Sequence, residues 1–250
     1  MDKPIGDWTL NELMTSPDAG RAVRQVWTWA REVGAITDGD PEAARFRRFG
    51  ESSRIEFPQL LLQNTDWISL GPHTSVGPFA VLSVGMIEGQ DGLDTGPRGA
   101  EPIVTVGERC GFGRYFQLIA HLHVEIGDVT WFAPGCYVTD QNHRYDLVDQ
   151  PIHDQWPLDS RPVSIGAGCS IGRNVTVLAG ARIGRNTLVA ANSVVTRGEY
   201  PDFAVLAGSP ARVKRRYDPA SGWVPPRPES PDEVRRSTDE ASPSDVMRAW

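Results

Sequence analysis

From Ile165 to Val195 an aliphatic residue returns at every sixth position: Ile165, Ile171, Val177, Ile183, Val189 and Val195. Glycine follows the anchor at Gly166, Gly172 and Gly184, and small or branched residues recur four places after the anchors. Strands of an ordinary sandwich alternate with period two and give no reason for glycine at every sixth residue. A period of six with apolar anchors and glycine at corners is the signature of a parallel β-helix in which three hexapeptides complete one triangular coil. The anchors then point into a prism that no single coil can bury, so stability has to come from stacking.

The same phase runs upstream. Leu70, Val76 and Leu82 are six apart, as are Val106, Phe112 and Leu118, and after a slip of two residues Ile126, Phe132 and Val138 resume the pattern. The repeats therefore span about residues 52–205. Cys110, Cys136 and Cys169 each lie four places after an anchor, the position also taken by Thr74, Ala80, Ala181 and Ser193. That shared phase makes the three cysteines small residues of the prism wall. An odd cysteine count without a secretion signal fits reduced thiols.

Residues 1–50 do not fit the hexad and read as a helical segment. Ser16 before Pro17 is a helix start, after which Ala19, Ala22, Val23, Val26, Trp27, Ala30 and Val33 recur at spacings of three and four up to Gly34. Asp40 and Pro41 repeat the start signal for a shorter helix with Phe46 and Phe49 on its apolar side. Both helices are expected to cap the open end of the prism. The hexads stop twice more, for a polar Gly-rich loop at 85–103 and for 139–162, which carries a His in a polar turn, a Tyr close behind it and a Trp flanked by Pro. Residues 51–217 then form the β-helix domain, and 218–250, rich in Pro, Ser and charge, a tail expected to be disordered, with Trp223 and Trp250 as isolated docking points. The net charge of -7 argues against general nucleic-acid binding. No signal peptide and no run of eighteen apolar residues is present, which makes the cytoplasm the expected location.

The hexads, DQNHRYD with PIHDQ after it, VAANSVVTRGEYPDFAVLAGSPARVKR, and the opening FGESSRIEFP together resemble the left-handed β-helix hexapeptide acyltransferases, close to the galactoside, maltose and polysaccharide-sugar O-acetyltransferases. The resemblance covers about residues 49–217. It implies an all-β, left-handed β-helix, acetyl-CoA or another acyl-CoA as co-substrate, no metal, and a homotrimer with sites at subunit boundaries. It puts the catalytic His on His143 and the acyl-CoA groove on Gly172, Arg173, Ala191, Thr196, Arg197, Arg212 and Arg215. Asp140, Asn142, Tyr145 and Trp156 are the candidates for acceptor contact. Two positions depart from the galactoside enzymes: Gly113 stands where they have a sugar-holding Asn, and Ser170 where they have a Trp beside the cofactor arm.

Moving an acyl group from a thioester to a hydroxyl requires removal of the hydroxyl proton during attack. A neutral imidazole suits that task near neutral pH and typically contributes about 10²- to 10⁴-fold. His143 is the candidate base, with Asp140 or a backbone carbonyl as the group that sets its tautomer. By family analogy, a backbone N–H near Gly172 and Arg173 meets the thioester oxygen. The CoA phosphates call for Arg197, Arg212, Lys214, Arg215 and Arg216, and the pantetheine arm for a low wall of Ala190, Ala191, Gly208 and Ser209. The expected acceptor is a hydroxyl, or second an amine, of a sugar or a polysaccharide or glycolipid precursor. Two other readings compete: a γ-class carbonic-anhydrase-like zinc enzyme on His121, His123 and His143, and a catalytically silent scaffold. A nucleotidyltransferase would need a Gly-rich nucleotide loop before the repeats, and none is present.

Overall fold

The computed structural model describes residues 9, 11–12, 19–85, 101–155 and 159–225. The chain winds around three parallel sheets that form the faces of a prism. The first face carries seven strands: Arg48–Phe49, Ile68–Leu70, Val104–Val106, Val124–Ile126, Val163–Ile165, Ala181–Ile183 and Gly198–Tyr200. The second runs Arg54–Ile55, Ser75–Val76, Gly111–Phe112, Trp131–Phe132, Ser170–Ile171, Leu188–Val189 and Ala204–Gly208. The third holds Leu61–Gln63, Val81–Val84, Gln117–Ala120, Tyr137–Thr139, Thr176–Val177 and Val194–Val195. This is the β-helix that the hexads predict, and its coils extend from residue 48 to 208, slightly beyond both expected limits.

Each anchor stacks on the anchors of neighbouring coils. Phe112 pairs in register with Val76 below and Phe132 above, and Ile171 with Phe132 and Val189. The coil spacing of about 4.8 Å is the distance at which neighbouring rings touch. Phe112, Phe116 and Phe132 accordingly lie with centroids 4.4 to 5.1 Å apart. Each fully buried anchor contributes roughly 1.5–3 kcal/mol.

The corner between the first and second faces is held by a ladder of small polar side chains, each bonded to a carbonyl of the next coil. Ser53 Oγ donates to Gly71 O at 2.8 Å, Thr74 Oγ1 to Gly107 O at 3.0 Å, Thr130 Oγ1 to Gly166 O at 3.1 Å and Thr187 Oγ1 to Pro201 O at 3.1 Å. Cys110 and Cys169 fill the remaining rungs, donating to Gly127 O at 3.3 Å and Gly184 O at 3.2 Å. Cys136 does the same at the next corner, toward Gly172 O at 3.1 Å. All three thiols are free and buried, and burial pushes each of them above the usual thiol range.

The N-terminal segment differs from expectation. One helix, α1 (Ala19–Val33), forms, and its expected start at Ser16 lies outside the described residues. The second expected helix is a single 3-10 turn, Ala43–Arg45, after which Phe49 already belongs to the first strand of the prism. The reason is local: Asp40 turns its carboxylate back to accept from Thr37 N at 2.7 Å and Thr37 Oγ1 at 2.6 Å instead of capping a helix ahead of it. The end of the core is closed by Ile36, Ala43 and Phe46, not by α1. At the other end the expected disorder does not begin at Asp218, because Ala211–Asp218 pairs antiparallel with Ala204–Gly208 and then with a further strand, Gly222–Val224; residues 226–250 of the expected tail lie outside the described residues. Trp223 is not an isolated docking point, since it meets Tyr217 edge-on at 5.8 Å, and Trp250 lies outside the described residues.

The glycines after the anchors are demanded by coil spacing. A Cβ on Gly127 would stand 2.5 Å from Ala167 N, which is backbone and cannot step aside, whereas a Cβ on Gly39 would meet nothing within 4 Å. Gly127→Ala is therefore expected to lower the unfolding free energy by about 1–3 kcal/mol or more, and Gly39→Ala to leave it within about 0.5 kcal/mol. Urea denaturation of both variants checks the contrast.

Candidate active site

Two of the three corners repeat with little variation, and the irregular lengths collect at the third, where the chain passes from the third face to the first. There the successive connections are 64–67, 85–103, 121–123, 140–162, 178–180 and 196–197. Both long insertions thus leave the same edge of the prism, and the turn at His121 to His123 lies between them. Residues 86–100 of the first insertion are outside the described residues. The two-residue slip in the hexads falls here, because the strand Gln117–Ala120 runs two residues past its anchor Leu118 before the turn, whereas Thr176–Val177 ends on its anchor.

Asp140 holds the edge together. It is fully buried, and its carboxylate accepts three consecutive backbone N–H groups: Oδ1 from His121 at 2.8 Å, and Oδ2 from Leu122 and His123 at 2.7 Å each. Burial pushes its carboxyl above the usual carboxylate range, against the three bonds, which favour the charged form. Its own carbonyl accepts from Arg161 N at 2.7 Å, which closes the base of the second insertion. The oxygens of Asp140 are committed to this turn. Asp140 therefore braces the loop, and it is neither the partner expected to orient His143 nor an acceptor contact.

The loop itself is well organised. Gln141–Asn142 pairs antiparallel with Asp159–Ser160. Buried Gln155 accepts from Leu147 N at 3.0 Å and donates to Leu147 O at 2.8 Å and Gln150 O at 2.9 Å, pinning the middle of the loop from inside. Arg144 grips Asp146 through two bonds, at 2.5 and 2.9 Å. His143 and Tyr145 emerge exposed from this frame, with Asn142 half-buried beside them, and Trp156 lies outside the described residues. Sequence reasoning missed Gln155, whose only signal was a lone amide among charged neighbours.

The expected cofactor residues divide between two edges. Thr196 and Arg197 share the His143 edge, where a Cβ on Gly180 would meet Arg197 Cγ at 3.0 Å and Arg161 Cδ at 3.3 Å. Arg161 was not anticipated there. Gly172, Arg173 and Ala191 lie instead at the corner between the second and third faces. There Gly172 approaches so closely that its Cβ would stand 2.5 Å from Ala191 N, and Arg173 O accepts from Asn192 N at 2.8 Å. Gly208 N donates to Ser193 Oγ at 3.1 Å, which brings the final strand to that corner. Arg212 and Arg215 follow on the returning strand, opposite Ala207 and Val205, and both are exposed. The sequence reading also passed over Trp131. It stands on the second face between Gly111 and Ser170, its ring over Gly111, and is 59% exposed.

His121 is buried and His143 projects from the loop. Among the described residues of one chain no three His, Cys, Asp or Glu side chains, His121, His123 and His143 included, form a group that could hold a metal ion.

A prism of stacked hexapeptides with a braced, His-bearing loop at one edge defines the class of hexapeptide β-helix proteins. The model of the bacterial transferase hexapeptide (six repeats) matches residues 162–197. The chain is 39% identical over 116 residues to the probable acetyltransferase Rv3034c of Mycobacterium tuberculosis, covering 46% of this chain and 38% of that protein. It is 34% identical over 110 residues to the putative lipopolysaccharide biosynthesis O-acetyl transferase WbbJ of Escherichia coli, covering 42% and 56%. The chain thus spans only about 38% to 56% of the length of the curated relatives it matches. Among solved structures, a variant of AntD, an N-acyltransferase from Bacillus cereus crystallised with dTDP-4-amino-4,6-dideoxyglucose and coenzyme A, shares the fold with a TM-score of 0.58 at 16% identity, over 83% of this chain and 98% of that one. The match to the hexapeptide transferase family is thus carried by residues 162–197, inside the prism. Among the described residues no helix is long and apolar enough to cross a membrane.

Asp140→Asn retains one acceptor oxygen for three N–H groups and turns an NH₂ toward the rest, so it is expected to lower stability by about 1.5–3 kcal/mol at pH 7. Because the folded-state pKa of Asp140 is raised, the folded chain takes up the proton first as pH falls. The wild type's advantage over Asp140→Asn should therefore widen as pH drops from neutral toward the ordinary carboxylate range. Denaturation of both proteins across that range measures it.

Proposed function

We propose that the protein transfers an acetyl group from acetyl-CoA to a hydroxyl of a sugar or of a polysaccharide or glycolipid precursor, with His143 as general base. The observation that carries this reading is the edge itself: an exposed imidazole on a loop braced by Asp140 and Gln155, sharing its corner with Thr196 and Arg197. Names of the relatives support the reaction class, since Rv3034c is a probable acetyltransferase and WbbJ a putative O-acetyl transferase. AntD is an N-acyltransferase crystallised with an amino sugar nucleotide, which keeps an amine as the second choice of acceptor in this proposal.

In this reading the acceptor hydroxyl lies against the 140–162 loop. His143 takes its proton as the oxygen attacks the thioester carbon, a backbone N–H near Gly172 and Arg173 receives the charge on the carbonyl oxygen, and CoA leaves as its thiol. Arg212 and Arg215 meet the phosphates. His143 and the Gly172 corner lie on opposite edges of the third face, and a second copy of the chain would bring one edge against the other. A homotrimer with each site between neighbours is therefore part of the proposal.

The test is turnover of acetyl-CoA against a panel of sugars and glycolipids, followed by thiol release. His143→Ala should lower kcat by about 10²- to 10⁴-fold while folding and CoA binding survive; a loss smaller than about tenfold would remove His143 from the role of base. Arg212→Ala with Arg215→Ala should raise KM for acetyl-CoA and flatten its salt dependence with little change in kcat. Chelators should leave activity unchanged if no metal takes part.

A further inference from the structure

Helix α1 is fastened to the prism by one side of its C-terminal half. Trp27 packs on Phe57 with centroids 6.4 Å apart, Arg31 pairs with Glu56 at 3.0 Å and Glu32 with Arg54 at 3.3 Å. At 100° per residue its apolar side chains, from Trp29 through Ala22, Val33, Val26, Ala19, Ala30 and Val23 to Trp27, fill one unbroken arc about 160° wide. An arc of that width ordinarily faces a core. Here the end of the core is already closed by Ile36, Ala43 and Phe46, and Ala22 is the only buried residue of the helix. Trp29 and Val33 are each 64% exposed and Val23 62%.

The polar arc carries Arg21, Arg24 and Arg31 against the single Glu32, in a chain whose net charge is -7. A largely exposed apolar arc with an indole at each margin and arginines on the polar side is the composition of helices that lie in the headgroup region of a bilayer. Indole side chains settle at that depth, and arginine is drawn to anionic lipid within a Debye length of the surface. We propose that α1 docks this protein on anionic phospholipid surfaces, inserting Val23, Val26, Trp29 and Val33 among the headgroups. The proposal does not depend on acyl transfer, because docking is read without turnover.

The test is co-sedimentation of the full chain with phosphatidylcholine vesicles, pure or containing about 30% phosphatidylglycerol. Pelleting should be at least about tenfold stronger with the anionic vesicles and should weaken as salt is raised. Trp29→Asp with Val33→Asp should abolish pelleting at unchanged melting temperature, since both side chains are largely exposed. Arg21→Gln with Arg24→Gln should retain weak binding and lose most of the salt dependence. Pelleting that is absent, or equal on both vesicles, or unaffected by the aspartate pair, overturns the proposal. So does a lipid-free assembly that the aspartate pair breaks into smaller species, since a second copy would then be what covers the arc.

Discussion

Every anchor of this prism is buried only because the coils above and below it are present. Ile171 has no core of its own to enter; it lies between Phe132 and Val189, and each of those in turn lies between its own neighbours. Cohesion of this kind is nearest-neighbour and sums along the axis, so the coil repeats with little tolerance for added width. Small corner residues follow from the same constraint. Thr74, Cys110, Thr130 and Cys169 fit the narrow apex and tie it to a carbonyl one coil on, which explains why cysteine and threonine interchange there without any redox role.

The constraint also decides where variation can occur. Two corners are tied by these ladders and by close glycine contacts, and the third absorbs every insertion. That corner needs other supports, and it has them in the carboxylate of Asp140 and the amide of Gln155, both buried polar groups whose hydrogen bonds are directed at loop backbone. A side chain carried on such a loop is held by a rigid body yet reaches past the flat faces. The exposed His143 has that setting.

The prism was legible because its period is written in the anchors themselves, down to the phase of the three cysteines. The slip after Leu118 was visible as a change of count, but its cause was not, since the group that stabilises the short turn, Asp140, is about eighteen residues further on and reads as one more polar residue before a His. The second N-terminal helix failed for a comparable reason. Asp40 before Pro41 is a start signal only if the carboxylate faces forward, and Thr37 behind it offered two closer donors. The candidate site residues could be named only singly; that they fall on two edges of one face depends on which corner each hexad occupies, a matter of counting turns through both insertions.

The central claim is that those two edges work together across a boundary between copies. Subunit mixing tests it most directly. A His143→Ala chain and an Arg212→Glu, Arg215→Glu chain, each expected to be inactive alone, would be co-expressed, isolated as mixed oligomers through distinct tags and assayed for acetyl-CoA turnover. The account predicts that activity returns in the mixed oligomers, because some boundaries then combine an intact His143 edge with an intact Gly172 and Arg212 edge. Mixed oligomers as inactive as their parents would contradict it and confine the reaction to a single chain.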